Sequence, residues 1–250
     1  MSESYTLITG ASSGIGYETA KLFAARGSNL ILVARREQRL KNLTDEIKKI
    51  NPDIKIVFFT VDLSDIEEAK NFYEKTKCYK IITWINNAGF GIINPIIGQD
   101  IDKTINMLRL NIEALTLLSM LYINDYSEVE NAKLINLSSI AGYYVVDIGV
   151  IYSASKFYVS AFTEGLNHQM ISNGSKLRAK VLAPASTSTE FAQIATNDNS
   201  YKYGEDGGRY HTSKEMAEFL IKLHDSDKIL GIVNMEDYSF NLENARLPTI

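Results

Sequence analysis

The feature that most limits how this chain folds is a glycine cluster set between an apolar run and a segment of helical period. Tyr5-Thr6-Leu7-Ile8-Thr9 ends at Gly10-Ala11-Ser12-Ser13-Gly14-Ile15-Gly16, and Tyr17 to Arg26 then puts Ala20, Phe23 and Ala24 on one helix face. Strand, tight glycine turn and helix in that order open a βαβ unit. Glycine allows backbone conformations closed to other residues. It also lets a diphosphate approach the main chain, where the free N–H groups and positive end of the following helix stabilise it. The turn from Gly10 to Gly16 therefore reads as phosphate-binding.

The alternation continues along the chain. Gly27 ends the first helix, and Leu30-Ile31-Leu32-Val33 is a continuous apolar run of the kind found in central parallel strands. That strand ends at Ala34-Arg35-Arg36. In a dinucleotide fold an acid at this point holds a ribose diol, whereas an arginine suits a 2′-phosphate. The acid is absent, and the Arg35 guanidinium, matched to phosphate oxygens, favours NADP over NAD. Residues 37–50 carry Leu40, Leu43 and Ile47 at helical spacing, Asn51-Pro52-Asp53 breaks the helix, and 54–60 reads as a third strand. Asp62 follows at the strand's carboxyl end, where ligands bind in open α/β sheets; Asp62-Leu63-Ser64-Asp65 reads equally as an N-cap for a helix over 66–77.

Residues 81–85 make a fourth strand running into Asn86-Asn87-Ala88-Gly89, small and amide residues suited to lying under a flat cofactor. A long periodic helix is expected over 100–123 through Ile101, Ile105, Leu108, Ile112, Leu115 and Leu118, with the polar Asn111 in its middle. Strands over 133–137, 177–183 and 229–233 alternate with helices over 152–170 and 213–223; Ser138-Ser139 follows the first of these strands and Pro184 the second. Residues 185–211, rich in Ser, Thr, Asn, Gly and Tyr, are too long for an ordinary connection and read as a mobile binding loop. With no repeat or linker, residues 1–250 read as one doubly wound α/β domain, a parallel sheet of about seven strands with helices on both faces.

Charge and composition exclude several partners. The net charge is −4, and no Lys or Arg block exceeds short pairs such as Arg35-Arg36, so the chain has no electrostatic footprint for nucleic acid. No run reaches the roughly 18 apolar residues that a membrane span requires. One cysteine, Cys78, excludes an intramolecular disulfide, and Met1-Ser2-Glu3-Ser4 has neither a basic segment nor an apolar signal core, which points to the cytoplasm. His168, His211 and His224 are too scattered to suggest a metal site.

Tyr152-Ser153-Ala154-Ser155-Lys156 puts a phenol and an ammonium four residues apart at the start of a helix, where they share a face. A phenol with a pKa of about 10 is a poor acid or base at neutral pH, and a fixed ammonium nearby favours the phenolate. Any solvated helix can carry such a pair. In company with Thr9 to Gly16, Asn86 to Gly89, Asn111 and Ser139, however, its order and spacing resemble the short-chain dehydrogenase/reductase family over nearly the whole chain.

The resemblance implies a Rossmann fold and a set of roles. Tyr152 would be the general acid or base at a carbonyl or alcohol oxygen, Lys156 would hold the nicotinamide ribose and lower the Tyr152 pKa, and Ser139 would hydrogen-bond the substrate oxygen. Asn111 would anchor a water in a proton relay to Lys156. Arg35 with Ser12 and Ser13 would meet the 2′-phosphate, Asp62 and Leu63 the adenine, Asn87, Ala88 and Gly89 the sugars, and Thr189 the carboxamide. Pro184-Ala185-Ser186-Thr187 departs from the family's Pro-Gly pattern, with Thr187 in place of an aliphatic, and Gly231 to Glu236 lacks the Asp-Gly-Gly finish.

Tyr143, Tyr144, Val145, Val146, Tyr158 and Phe191 either line a substrate pocket beside Tyr152 or belong to the core. The resulting expectation is an NADP(H)-dependent oxidoreductase, NAD(H) being the second option. It would act on a small or medium apolar carbonyl or alcohol, and pair as a homodimer or homotetramer through helices 100–123 and 152–170. A 3-oxoacyl-carrier-protein reductase is the alternative within the class; a non-catalytic NADP-binding sensor or partner-binding protein is the alternative outside it.

Overall fold

The computed structural model describes residues 3–205 and 208–248; the expectations for 1–250 and 185–211 extend over positions outside the described residues. In chain order the first half holds β1 (Tyr5–Thr9), α1 (Gly14–Ala25), β2 (Asn29–Ala34), α2 (Glu37–Ile50), β3 (Ile56–Thr60), α3 (Ile66–Thr76) and β4 (Ile81–Asn86). Then come α4 (Ile101–Leu108), a π-helical segment (Arg109–Ala114), α5 (Leu115–Tyr126), β5 (Lys133–Leu137), α6 (Val150–Ser172) and β6 (Arg178–Ala183). The chain finishes with β7 (Thr187–Ser188), α7 (Phe191–Thr196), β8 (His211–Thr212), α8 (Ser213–Asp225), β9 (Leu230–Val233) and β10 (Phe240–Glu243).

The main sheet has eight strands in the order β10-β9-β6-β5-β4-β1-β2-β3, and only β10 runs antiparallel. The strand order reverses between β1 and β4, the switch point at which open α/β sheets bind ligands. Side-chain alternation divides the apolar strands between two cores. Ile8, Leu30 and Leu32 pack on α1, α2 and α8 through Phe23, Leu43 and Leu220, while Leu7, Ile31 and Val33 pack on α3, α5 and α6 through Phe72, Tyr122 and Met170. Each fully buried Leu, Ile or Phe contributes about 1.5–3 kcal/mol of transfer free energy, so much of the apolar stabilisation sits in the frame under the switch point.

Three details differ from the sequence expectation. An eighth strand joins the sheet. The 185–211 segment carries β7, α7 and β8, with β7 and β8 paired as a small second sheet. The helix over 100–123 is interrupted by its π segment, and its inward face is Thr104, Met107, Asn111 and Ala114, whereas Ile101 and Ile105 are exposed.

Candidate active site

The carboxyl ends of β1, β2, β4, β5 and β6 open on one cleft of about 810 Å³. The β1–α1 turn forms one wall, with Gly10 at φ +68 and Gly14 at φ +58, both in the left-handed region that favours glycine. Asn87 braces the turn from the β4 end, its Nδ2 donating to Thr9 O at 2.8 Å and to Gly10 O at 3.2 Å. Gly16 does not line the cleft. A Cβ there would collide with Asn87 Nδ2 and sit 2.7 Å from Gly10 O, so its role is to let α1 start close against the turn. Ser13 is the N-cap of α1 without a side-chain cap bond, and the first turn holds no acidic residue. Nothing on the helix itself thus competes with an anion for its positive end.

At the end of β2 the residue that turns toward this anion site is Arg36. Its Nε and Nη2 each donate to Ser12 Oγ at 3.2 Å, and Nη2 also donates to Ser13 Oγ at 2.7 Å. Arg35 lines the cleft as expected and stands 3.8 Å from Asp62 in a solvent-exposed pair. Asp62 accepts from the Ser64 N–H and hydroxyl, and Asp65, rather than Asp62, caps α3. Leu63, Ala88 and Gly89 line the cleft beside them.

Tyr152 and Lys156 lie on α6 at the cleft floor, the Lys156 Nζ 5.8 Å from the Tyr152 ring centroid. Burial pushes the Tyr152 phenol up to about 12, with the Ser139 hydroxyl offsetting part of the rise, and pulls the Lys156 ammonium down to about 8. The expected lowering of the phenol by its neighbouring ammonium is therefore reversed: desolvation disfavours both charged forms. Lys156 Nζ donates to Leu137 O at 2.9 Å. Ser139 lines the cleft and caps a short 3₁₀ turn over Ile140–Gly142, accepting from Ala141 N–H at 3.1 Å. Ser138 instead spends its hydroxyl inside the core, on Lys156 O at 2.9 Å and Ser160 Oγ at 2.8 Å.

Asn111, 1% exposed, accepts from Phe90 N–H at 3.2 Å and donates to Phe90 O at 2.9 Å and to Ser155 Oγ at 3.3 Å. A Cβ on Gly89 would lie 3.0 Å from Asn111 Oδ1 and 3.7 Å from Lys156 Nζ. The missing side chain at Gly89 keeps the space between those two groups open.

Beyond β6, Pro184, Thr187 and Thr189 line the cleft, and Thr189 Oγ1 accepts from Phe191 N–H at 3.1 Å. The Phe191 ring packs 5.4 Å from the Tyr152 ring and over Gly91, where a Cβ would meet Phe191 Cζ at 2.6 Å. Tyr143 and Tyr144 do not reach the cleft. Both of their N–H groups donate to Ile140 O as the 3₁₀ turn closes, which directs Tyr143 into the core beside Val181, with its hydroxyl on Glu164, and leaves Tyr144 exposed. Tyr158 bonds Thr116 on the outer surface, and of this group of pocket candidates Val146 and Phe191 line the cleft.

The sequence reading missed Phe90, Ile93, Ile148 and Ile194, which make the cleft around Tyr152 apolar, and Lys103, Asn106 and Leu110, one stripe of the helix over 101–114. The i, i+3, i+7 spacing of that stripe was the available signal. Among the described residues no His, Cys, Asp or Glu group could hold a metal, and no helix is long and apolar enough to cross a membrane.

Comparison with known proteins agrees with this architecture. The short chain dehydrogenase family model matches residues 4–200. Sulfoacetaldehyde reductase 2 of Chromohalobacter salexigens is 32% identical over 200 residues, 76% of this chain and 75% of that one. An uncharacterized oxidoreductase of Staphylococcus saprophyticus is 31% identical over 74% of each chain. A short-chain dehydrogenase from Sphingobium yanoikuyae, solved in complex with NADPH, superposes with a TM-score of 0.83 at 25% identity over 93% of this chain and 89% of that one. The chain belongs to the short-chain dehydrogenase family of oxidoreductases.

Proposed function

We propose that the protein is an NADP(H)-dependent carbonyl reductase, or alcohol dehydrogenase in reverse, for small or medium substrates that are apolar around the reacting carbon. The observation that carries this reading is the meeting of Tyr152, Ser139 and Lys156 on the floor of a cleft whose other end is a glycine turn with Arg36, Ser12 and Ser13. These residues fit a nicotinamide dinucleotide phosphate: an unshared helix N-terminus for the diphosphate, a guanidinium and two hydroxyls for a 2′-phosphate. The bound nicotinamide supplies or accepts the hydride.

The chain's own residues handle the oxygen and its proton. With its phenol pushed up to about 12, Tyr152 is protonated at neutral pH but a weaker acid than a free phenol, so it gives its proton to a carbonyl oxygen only as negative charge builds on that oxygen. Ser139 aims a second hydroxyl at the same oxygen, and two fixed donors stabilise most strongly the charge that develops there. Lys156 would return a proton to Tyr152, and Asn111, across Gly89 from it, would anchor the water that reprotonates Lys156. Phe90, Ile93, Val146 and Phe191 exclude water and favour an apolar group next to the carbonyl. NADPH oxidation over a panel of ketones and aldehydes tests the reading: Tyr152→Phe is expected to lose roughly 10²–10⁴-fold in kcat, and a variant that keeps most of its activity overturns the mechanism. In the same reading two copies pair through α5 and α6, whose outer faces expose Met120, Tyr158 and Ile171.

A further inference from the structure

Glu190 pairs with the arginine that the NADP reading assigns to the 2′-phosphate. Its Oε2 accepts from Arg36 Nη1 at 2.8 Å and its Oε1 from Arg39 Nη1 at 2.5 Å, so one carboxylate holds two guanidiniums, one of which also grips Ser12 and Ser13. Burial alone would raise the Glu190 carboxyl, but the bonds from Arg39 and Arg36 outweigh it and hold the group below its ordinary value, ionised at neutral pH. A 2′-phosphate drawn to Arg36 thus meets a carboxylate already paired there, and the two anions repel. We propose that Glu190 is an internal stand-in for the 2′-phosphate, which NADP(H) must displace and NAD(H) need not.

Displacement has a second consequence through the chain. Glu190 is followed directly by Phe191, whose ring packs on Tyr152 and over Gly91. Thr189, on its other side, lies 3.0 Å from where a Gly14 Cβ would stand, at the start of α1. The arginine site, the glycine turn and the tyrosine floor are therefore clasped by three consecutive residues, and releasing the middle one frees the strap over the substrate end of the cleft.

This inference rests on the NADP reading and is tested by equilibrium binding of 2′,5′-ADP, 5′-ADP, NADPH and NADH to the whole chain. Glu190→Gln keeps the shape and removes the charge at a partly exposed position. The expected result is tighter 2′,5′-ADP and NADPH by roughly three- to tenfold, the scale of two exposed ion pairs, with 5′-ADP and NADH unchanged. Weaker NADPH binding, or equal tightening of all four, overturns the stand-in role. Arg36→Gln separates the two readings: if wild type binds NADPH no better than NADH and Arg36→Gln changes neither, the NADP reading itself fails. If Arg36→Gln abolishes an NADPH preference that Glu190→Gln does not sharpen, the stand-in alone fails. Glu190→Asp, which keeps the charge, is expected to behave as wild type or tighten NADPH less than Glu190→Gln; tightening equal to that of Glu190→Gln overturns the electrostatic account.

Discussion

Lys156 is a largely buried ammonium on the cleft floor whose Nζ donates to the Leu137 carbonyl. Its pKa is about 8 in the folded chain against an ordinary 10.5, so between those values the unfolded chain binds more protons than the folded one. Stability therefore rises with pH across that window, and the contribution is lost as pH falls through about 8. Lys156→Met removes the titration. Denaturant titrations of both proteins between pH 7 and 11 are expected to show wild type gaining on the variant by up to about 3 kcal/mol; a gap that does not move with pH would mean Lys156 is not desolvated. The same variant is expected to lose turnover, because in the proposed mechanism the proton path to Tyr152 passes through this side chain. At this scale the sequence was legible in type but not in direction. It named Tyr152, Lys156, Ser139 and Asn111, but the sign of the Tyr152 shift depends on how much protein covers the phenol. That Arg36, and not Arg35, bonds Ser12 and Ser13 depends on how the chain turns after Ala34, where strand alternation stops.

The helix over 101–126 shows how an element can defeat a periodic pattern. Ile101, Ile105, Leu108 and Ile112 form a regular apolar row, yet Thr104, Met107, Asn111 and Ala114 face the interior. The row is displaced because the inward face has to supply an amide to the Phe90 backbone, and the π segment at Arg109–Ala114 takes up the mismatch with α5. Hydrophobic spacing reports burial and carries no signal for a polar residue required inside. Asn111→Ala leaves the Phe90 N–H and C=O without their side-chain partner at a half-buried position, an expected cost of about 1–3 kcal/mol in denaturant melts. An unchanged melt would place Asn111 outside the framework of the site. The short β10 was missed for a related reason: Phe240-Asn241-Leu242-Glu243 is only four residues and half-exposed, and its stability comes from pairing with β9 rather than from its own composition. The long apolar strands β1, β2 and β4 to β6 were legible because both of their faces are covered.

For the whole molecule, the exposed surface of α6 bears on assembly. Ala154, Tyr158, Ala161 and Gly165 recur along one exposed face, and Met120 is exposed on α5. Small residues let two helices approach closely, and a two-fold axis would bring each such face against its own copy, burying Tyr158 and Met120 that a single chain leaves in water. Gly165 allows a clean test, because a Cβ there meets nothing within 4 Å in the single chain. Gly165→Arg therefore costs the monomer no packing, and exchanging a mid-helix glycine for a good helix former is expected to add about 0.5–1 kcal/mol to it. In an assembly the same side chain would sit in the contact and bring two guanidiniums together. Light scattering is expected to give wild type the mass of a dimer or tetramer and Gly165→Arg the 28.0 kDa of one chain, with its melting temperature retained or raised if the fold does not need the partner. A wild-type protein that is already monomeric, or a variant whose mass does not fall, would remove this face from the interface. Because the cleft is formed within one chain, a monomeric Gly165→Arg is expected to keep binding NADPH. Loss of binding on dissociation would instead mean that the partner stiffens α6 beneath Tyr152 and Lys156.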